Sequence, residues 1–140
     1  MKARVLSAMV LAMAISAFAG AADFKVIVNS SNSSAKISKT DLNAIFLKKM
    51  ARWSDGTPVE PVNQSKKSAV RESFTTTVHG KSVAAVDSYW QQQIFSGRDV
   101  PPPEKASDAE IVAFVRSNPG AIGYVTNAAA TAGVKTINVE

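Results

Sequence analysis

The segment that sets the fold is "VNQSKKSAVRESF", residues 62–74, where a strand turns directly into a helix. A strand is predicted around Val59–Val62, and its prolines favour an edge strand or a strand start. After the turn, Val70, Phe74 and Val78 recur at i, i+4 and i+8, the spacing of one buried helix face. A strand that feeds a helix is a building unit of α/β domains.

The turn itself places two lysines, Lys66 and Lys67, where the helix begins. A helix start is positive, so exposed cations there are unfavourable by about 0.3–1 kcal/mol each. Ser65 and Ser68 are candidate caps, and a capped start with free amides is a generic anion site to which lysines add charge. Arg71, one turn on, faces either this site or water. The alternative stays open that the lysines are only solvated and the serines only cap.

The first residues form a separate segment. Lys2 and Arg4 precede the apolar run "VLSAMVLAMAISAFA", which is shorter than the roughly 20 residues that cross a bilayer and ends in small residues. We therefore predict a signal peptide over residues 1–21, export to the periplasm and a single domain over 22–140; an uncleaved anchor is the alternative. Cleavage lowers the formal net charge from +5 to +3, too weak a basic bias for a nucleic-acid-binding protein.

The side chains offer little for catalysis or metal binding. The sequence has no cysteine, which excludes disulfides and thiol chemistry. His79, the single histidine, is predicted to sit at a helix end beside Gly80, where a cation is favoured, and no second histidine or carboxylate cluster accompanies it. The aspartates are scattered and Ser68 has no base within sequence reach. We predict no enzyme, no catalytic residue, no metal and no cofactor.

The whole pattern gives the order β-α-β-α-α-α-β-β. Strands are predicted at 24–28, 59–62, 121–125 and 134–139, and helices within 37–50, 70–79, 81–95 and 107–117. Ser107 and Glu110 form a capping box, and segment 96–106, with three prolines, is predicted as a loop. This order predicts an α/β domain with a small mixed sheet flanked by helices. One shared core is predicted from Phe46, Trp53, Phe74, Val86, Trp90, Ile94, Ile111, Val115 and Ile122.

Three segments occur in an order that resembles the type II periplasmic binding proteins, in particular the phosphate-binding component of ABC transporters. These are "LNAIFLKKMARWSDGTPVEPV" (42–62), the turn leading to Phe74, and "PGAIGYV" (119–125). In that family a helix ending in IF-x-G-x-x-x-x-W leads to a strand, then to an S-G-T turn at a helix start, and later to a G-A-I-G-Y strand. The counterparts here are Ile45, Phe46, Trp53, Ser68 and residues 120–124. The resemblance implies one lobe of such a protein.

The phosphate turn departs from the family pattern. The family has an arginine, an acidic residue and S-G-T; here Gln64 takes the place of the arginine, Lys66 that of the acid, and Ser68-Ala69-Val70 that of S-G-T. The family also closes two lobes on its ligand, and this chain is long enough for one. On this register the resemblance implies the ligand-binding residues Ser65, Lys66, Lys67, Ser68, Ala69, Val70 and Arg71.

Two functional hypotheses follow from the resemblance. The first is a periplasmic domain that recognises phosphate or another small oxyanion and serves phosphate uptake or sensing, with a membrane transporter, an envelope protein or a second copy as partner. The second is an interaction module of the cell envelope that keeps the fold and has lost the ligand, as the missing arginine and glycine of the turn suggest. A nucleic-acid partner is expected in neither case.

Overall fold

Five strands form a mixed sheet with helices on both faces, in a computed structural model that describes residues 23–140. The predicted signal peptide, residues 1–21, lies outside the described residues. The predicted fold class, a small mixed sheet flanked by helices, is confirmed. In chain order the elements are β1 (Lys25–Asn29), β2 (Lys36–Ile37), α1 (Lys39–Phe46), β3 (Glu60–Pro61), β4 (Asn63–Gln64), α2 (Ala69–Phe74), a π-helical turn (Thr75–His79), α3 (Val83–Phe95), β5 (Glu104–Lys105), α4 (Asp108–Ser117), β6 (Ala121–Val125) and β7 (Val134–Val139).

The sheet is built around β1, in the order β2-β7-β1-β6-β3. β1 is antiparallel to both β6 and β7, while the two-residue strands β2 and β3 lie parallel to their neighbours at the edges. A second, two-stranded sheet pairs β4 with β5 in parallel. The sequence did not predict β2, β4 or β5, because two residues are too few for an alternating pattern. Segment 96–106 was predicted wholly as loop, and this is wrong at 104–105.

The side chains of the central strands alternate between two apolar clusters on opposite faces of the sheet. In β1, Val26 and Val28 face α1 and α2, whereas Ile27 faces α4. Successive strand residues point to opposite faces, so a strand buried on both sides is apolar throughout. The α1/α2 cluster includes Leu42, Ile45, Phe46, Trp53, Val70, Phe74, Val78, Ile122 and Tyr124. The α4 cluster includes Val62, Ile111, Val112, Val115, Ala121 and Val125.

The prediction of one shared core is therefore wrong. The sheet separates Ile111 and Val115 from the α1/α2 cluster, and sequence spacing does not show on which face a helix lies. Val86 and Trp90 are buried as predicted but belong to neither cluster, because α3 packs on the π-helical turn. Ile94 is 52% exposed, so the predicted buried face of α3 does not continue beyond Trp90.

Each of the α-helices among residues 23–140 begins at a serine. Ser38, Ser68, Ser82 and Ser107 each accept a hydrogen bond from the amide three residues on, at 3.0–3.2 Å. Such a cap contributes about 1 kcal/mol to helix stability. Within the same part of the chain no helix is long and apolar enough to cross a membrane.

The chain leaves α1 through a left-handed residue. Lys48 has φ 57, and glycine stands at this position in the family pattern. A side chain in this conformation costs about 1 kcal/mol. The Lys48 amide nevertheless donates to the carbonyl oxygen of Ile45 (3.0 Å), and its Nζ lies 3.7 Å from Asp99 Oδ1. The end of α1 therefore lies beside the loop that follows α3.

Candidate functional site

The turn between β4 and α2 is closed by hydrogen bonds to its two serines. Ser68 Oγ accepts from the Arg71 amide (3.1 Å), and the Ser68 amide donates to the carbonyl oxygen of Ser65 (3.0 Å). The predicted cap at Ser68 is confirmed. The amides of Ala69 and Val70 stand in the first helical turn, which has no acceptors within the helix for them. A helix start of this form provides donors and a positive dipole for an anion.

The two lysines of the turn differ in their surroundings. Lys66 forms an ion pair with Asp87 of α3, and the hydrogen bond from Lys66 holds the pKa of the Asp87 carboxyl below its usual range. Lys67 is exposed and makes no salt bridge within residues 23–140. The Lys67 ammonium is therefore the more available of the two charges, and Lys66 ties the turn to α3.

Arg71 stabilises the turn from behind. Its side chain is 4% exposed, and Nη1 donates to the carbonyl oxygen of Gln64 (2.7 Å) and to Glu104 Oε1 (3.2 Å). The sequence left open whether the Arg71 side chain faces the anion site or water, and its burial excludes water. Arg71 is also not among the residues that line the cleft beside the turn. The guanidinium instead supplies a buried positive charge behind β4, where the family pattern has an arginine in place of Gln64.

A buried polar network that the sequence did not reveal joins β4 to the start of α4 and to β6. The buried Gln64 donates from Nε2 to Asp108 Oδ1 (2.6 Å), and Thr126 Oγ1 donates to the other oxygen of that carboxylate (2.6 Å). Tyr124 donates its hydroxyl to Asn63 Oδ1 (2.8 Å), and burial raises the pKa of this phenol. Because every member has a partner, the network holds the strand before the turn in one position.

A cleft of about 370 Å³ opens beside the turn. Lys66, Lys67, Ser68 and Ala69 line it on one side, and Glu72 and Thr76 continue the wall along the helix. The sequence interpretation missed the last two, although the spacing Ser68, Glu72, Thr76 places them on one helix face. The Glu72 carboxylate faces the same space and opposes an anion there. A larger, open cleft of about 1150 Å³ lies between this helix and the ends of β1 and β7.

His79 ends the π-helical turn beside Gly80, as predicted, but not as a cation. Its Nδ1 lies 2.6 Å from Asn43 Oδ1 of α1, and its ring stands edge-on to Phe74 with centroids 5.9 Å apart. Burial, assisted by the charges of Arg71 and Lys81, lowers the pKa of His79 to about 4. The predicted helix-end cation is wrong because protonation would place a charge in a poorly solvated position.

We expect the protein to lose stability between about pH 6.5 and pH 4 through His79. The unfolded chain takes up this proton near pH 6.5 and the folded chain near pH 4, so the unfolded state binds more protons in between. Stability therefore decreases as the pH is lowered through this interval. Discounted for the partly exposed ring, the loss is about 2 kcal/mol. His79→Asn keeps a donor for Asn43 and cannot titrate. Urea unfolding across this interval should show a flatter pH dependence in the variant; equal slopes would contradict the assignment.

No group of three or more histidine, cysteine or acidic side chains among residues 23–140 is placed to hold a metal ion. What the site offers is a set of backbone amides, a serine hydroxyl and a lysine beside a small cleft. Hydrogen-bond donors and positive charge in a space of this size can bind a small anion.

A family model described as a PBP superfamily domain matches residues 16–138. The chain belongs to the PBP, or periplasmic binding protein, superfamily. Among curated proteins none matches the chain. The residues matched include all the helices and strands described here except the last residue of β7.

Solved structures of other proteins share the fold of this domain. One, from Clostridium perfringens, is assigned as a phosphate ABC transporter substrate-binding protein and has bound phosphate; it is 18% identical, with a TM-score of 0.66 over 84% of this chain and 44% of that chain. Another is an ABC-type phosphate transport receptor from Vibrio cholerae, 17% identical, with a TM-score of 0.67 over 84% and 46%. This chain therefore spans less than half the length of either protein.

Proposed function

We propose that this domain binds phosphate or another small oxyanion in the periplasm, at the turn of residues 65–68 and the first turn of α2. The observation that carries the proposal is a Ser68-capped helix start that opens on a small cleft bordered by Lys66 and Lys67. Its fold is that of proteins assigned to phosphate transport, one of which has bound phosphate. Those relatives are substrate-binding proteins, which supports a binding role without catalysis.

Each part of the turn has a distinct role in this proposal. The amides of Ala69 and Val70 donate to the anion, and only the backbone of Val70 takes part because its side chain is in the α1/α2 cluster. The Ser68 hydroxyl accepts from the Arg71 amide and donates its own proton to the anion. Lys67 adds charge, while Lys66 shares its charge with Asp87.

A single lobe leaves the bound anion partly hydrated. We therefore expect micromolar affinity at best, since a wet ion retains competing water contacts. A second copy of the chain, or a membrane transporter that receives the anion, would complete the enclosure. In either arrangement the domain would serve phosphate uptake or phosphate sensing.

Calorimetry of the mature protein against phosphate and sulfate tests the proposal. Replacing Lys66 and Lys67 by alanine should weaken binding by about threefold to tenfold and reduce its salt dependence, because the amides remain. Ser68→Ala should cost about 0.5–1.5 kcal/mol of binding energy, and up to about 3 if the hydroxyl meets a charged oxygen.

Two controls separate binding from folding. Lys36→Ala removes an exposed lysine of β2 that lines neither cleft near α2, and binding should not change. Ser68→Ala also removes the cap, which costs about 1 kcal/mol of stability, so unfolding is measured in parallel. If the double lysine variant and Ser68→Ala both bound phosphate like the parent, the anion site would lie elsewhere.

The second candidate is a ligand-free interaction module of the cell envelope. Glu72 favours it, since a carboxylate in the cleft repels an anion, and so does the engagement of Arg71 with Glu104. A dissociation constant for phosphate and sulfate weaker than about 1 mM, or about −4 kcal/mol, would support this candidate against the first. Glu72→Gln then discriminates further, because a functional anion site should bind more tightly once this charge is removed.

A further inference from the structure

Three apolar side chains stand in solvent at the C-terminal end of α3 and in the loop that follows it. Phe95 is 95% exposed, Ile94 52% and Val100 58%, and these are the exposed large hydrophobic residues of the chain from 23 to 140. We call them the Phe95 patch. Single exposed apolar residues are common, whereas neighbouring ones around an almost fully exposed phenylalanine are typical of interaction surfaces.

The patch is held on a closed helix end. The amides of Ser96, Gly97 and Arg98 donate back to carbonyl oxygens of the last turn of α3, at 3.0–3.1 Å. Gly97 has φ 68, a conformation that favours glycine and completes the helix end. The Phe95 ring is therefore presented by an ordered element, which lowers the entropic cost of burying it against a partner.

The charges around the patch are mostly positive. Lys48 Nζ lies 3.7 Å from Asp99 Oδ1, Lys49 Nζ lies 5.9 Å from the centre of the Tyr89 ring on α3, and Arg98 follows the helix directly. Asp99 is the single carboxylate between residues 88 and 103. Asp99 is paired with Lys48, and Asp87, which accepts from Gln91, is paired with Lys66, so of these cations Lys49 and Arg98 form no salt bridge within residues 23–140.

Neutral polar groups flank the aromatic ring on the other side. Ser88, Gln91 and Gln92 line a shallow groove with Phe95, with a volume of about 440 Å³. Glutamine amides need hydrogen-bond partners when they lose water. A protein surface can supply such partners, while the hydrocarbon of a membrane cannot.

We propose that the Phe95 patch docks a partner protein with an acidic contact face, in which carboxylates surround an apolar pocket for the Phe95 ring. A phenylalanine at the centre with an arginine beside it is a common composition of such interfaces. A second copy is disfavoured because a two-fold contact would set the cations of one rim against those of the other. A membrane surface is disfavoured by the glutamines and by Asp99.

Photo-crosslinking from position 95 tests this docking surface. Phe95 is replaced by p-benzoylphenylalanine in the full chain, cells are irradiated, and the crosslinked peptide is identified by mass spectrometry. We expect an adduct with a different protein, at a peptide rich in aspartate or glutamate. Combining Lys49→Glu with Arg98→Glu should lower the yield by about fivefold or more, since rim charges steer association. The same probe at the exposed Ala113 of α4 is the matched control.

The remaining outcomes overturn the proposal. An adduct with a second copy, an adduct with lipid, an adduct unaffected by charge reversal, or none at all would each contradict an acidic protein partner. Sedimentation of the purified chain, and its co-sedimentation with vesicles of phosphatidylglycerol and phosphatidylethanolamine, check the second copy and the membrane independently. Neither Lys49 nor Arg98 forms a salt bridge within residues 23–140, and the contact of the exposed Lys49 with the Tyr89 ring is the one interaction described here that the double variant loses, so its urea midpoint should stay close to that of the parent.

Discussion

Phe74→Ala should lower the free energy of unfolding by about 4 kcal/mol, the largest effect that we expect from a single truncation in this domain. The ring is fully buried and lies at the centre of the α1/α2 cluster. It stacks on Tyr124 with centroids 3.8 Å apart and an interplanar angle of 4°, and it contacts Phe24 at 5.2 Å and Phe46 at 4.7 Å. The variant loses apolar burial and leaves a cavity, because rings held by the sheet and by α1 cannot close the space.

Urea unfolding followed by circular dichroism measures this loss. Phe95→Ala is the matched control, since the same atoms are removed from a side chain that is 95% exposed, and its stability should change by less than about 0.5 kcal/mol. A loss below about 1 kcal/mol for Phe74→Ala would show that this ring is not part of the core.

The contrast between Phe74 and Ile94 shows what apolar spacing predicts in this domain. Both residues continue a helical i, i+4 pattern, from Val70 in one case and from Trp90 in the other. The pattern identifies the side of a helix that turns inward, and it succeeds for Phe74, which packs in the α1/α2 cluster. It fails for Ile94, which is 52% exposed although Trp90, one turn earlier, is buried. Whether the last turn of a helix is covered depends on tertiary packing, and the spacing of apolar residues carries no information about it.

At the candidate site, the local features were predictable and the distant ones were not. The turn and the Ser68 cap depend on residues within a few positions of one another, whereas β4 pairs with the distant β5 and was not predicted. Arg71, in contrast, pairs with Glu104, which is 33 residues away on a strand of two residues after a proline run. Asp108 likewise reaches Gln64 across 44 residues. Such contacts depend on chain topology. Polar side chains follow no periodic pattern that would indicate which distant residue they bond.

Both glycines of the segment "PGAIGYV", Gly120 and Gly123, lie where neighbouring atoms leave no room for a side chain. A Cβ on Gly123 would lie 2.8 Å from Ile111 Cγ2 and 3.0 Å from Val62 Cγ1, so α4 packs directly on the β6 backbone there. A Cβ on Gly120 would collide with the backbone carbonyl of Pro58. Both positions require glycine for close approach, and they differ in what would have to move.

Gly120→Ala should therefore be the more costly of the two alanine substitutions, with a loss of about 3 kcal/mol or more in the free energy of unfolding. The Gly120 carbonyl oxygen accepts from Trp53 Nε1 (2.9 Å) and from the Glu60 amide (2.9 Å), so the residue cannot retreat from Pro58 without breaking these bonds. Gly123→Ala meets only methyl groups that can shift, and should cost about 1–2 kcal/mol. Urea unfolding ranks the two variants, and tryptophan fluorescence should report the displaced Trp53 indole in Gly120→Ala alone. If Gly123→Ala were the more damaging variant, β3 (Glu60–Pro61) would have to be free to move away from Gly120. The pairing of β3 with β6 would then not be the rigid support that the proposed anion turn requires.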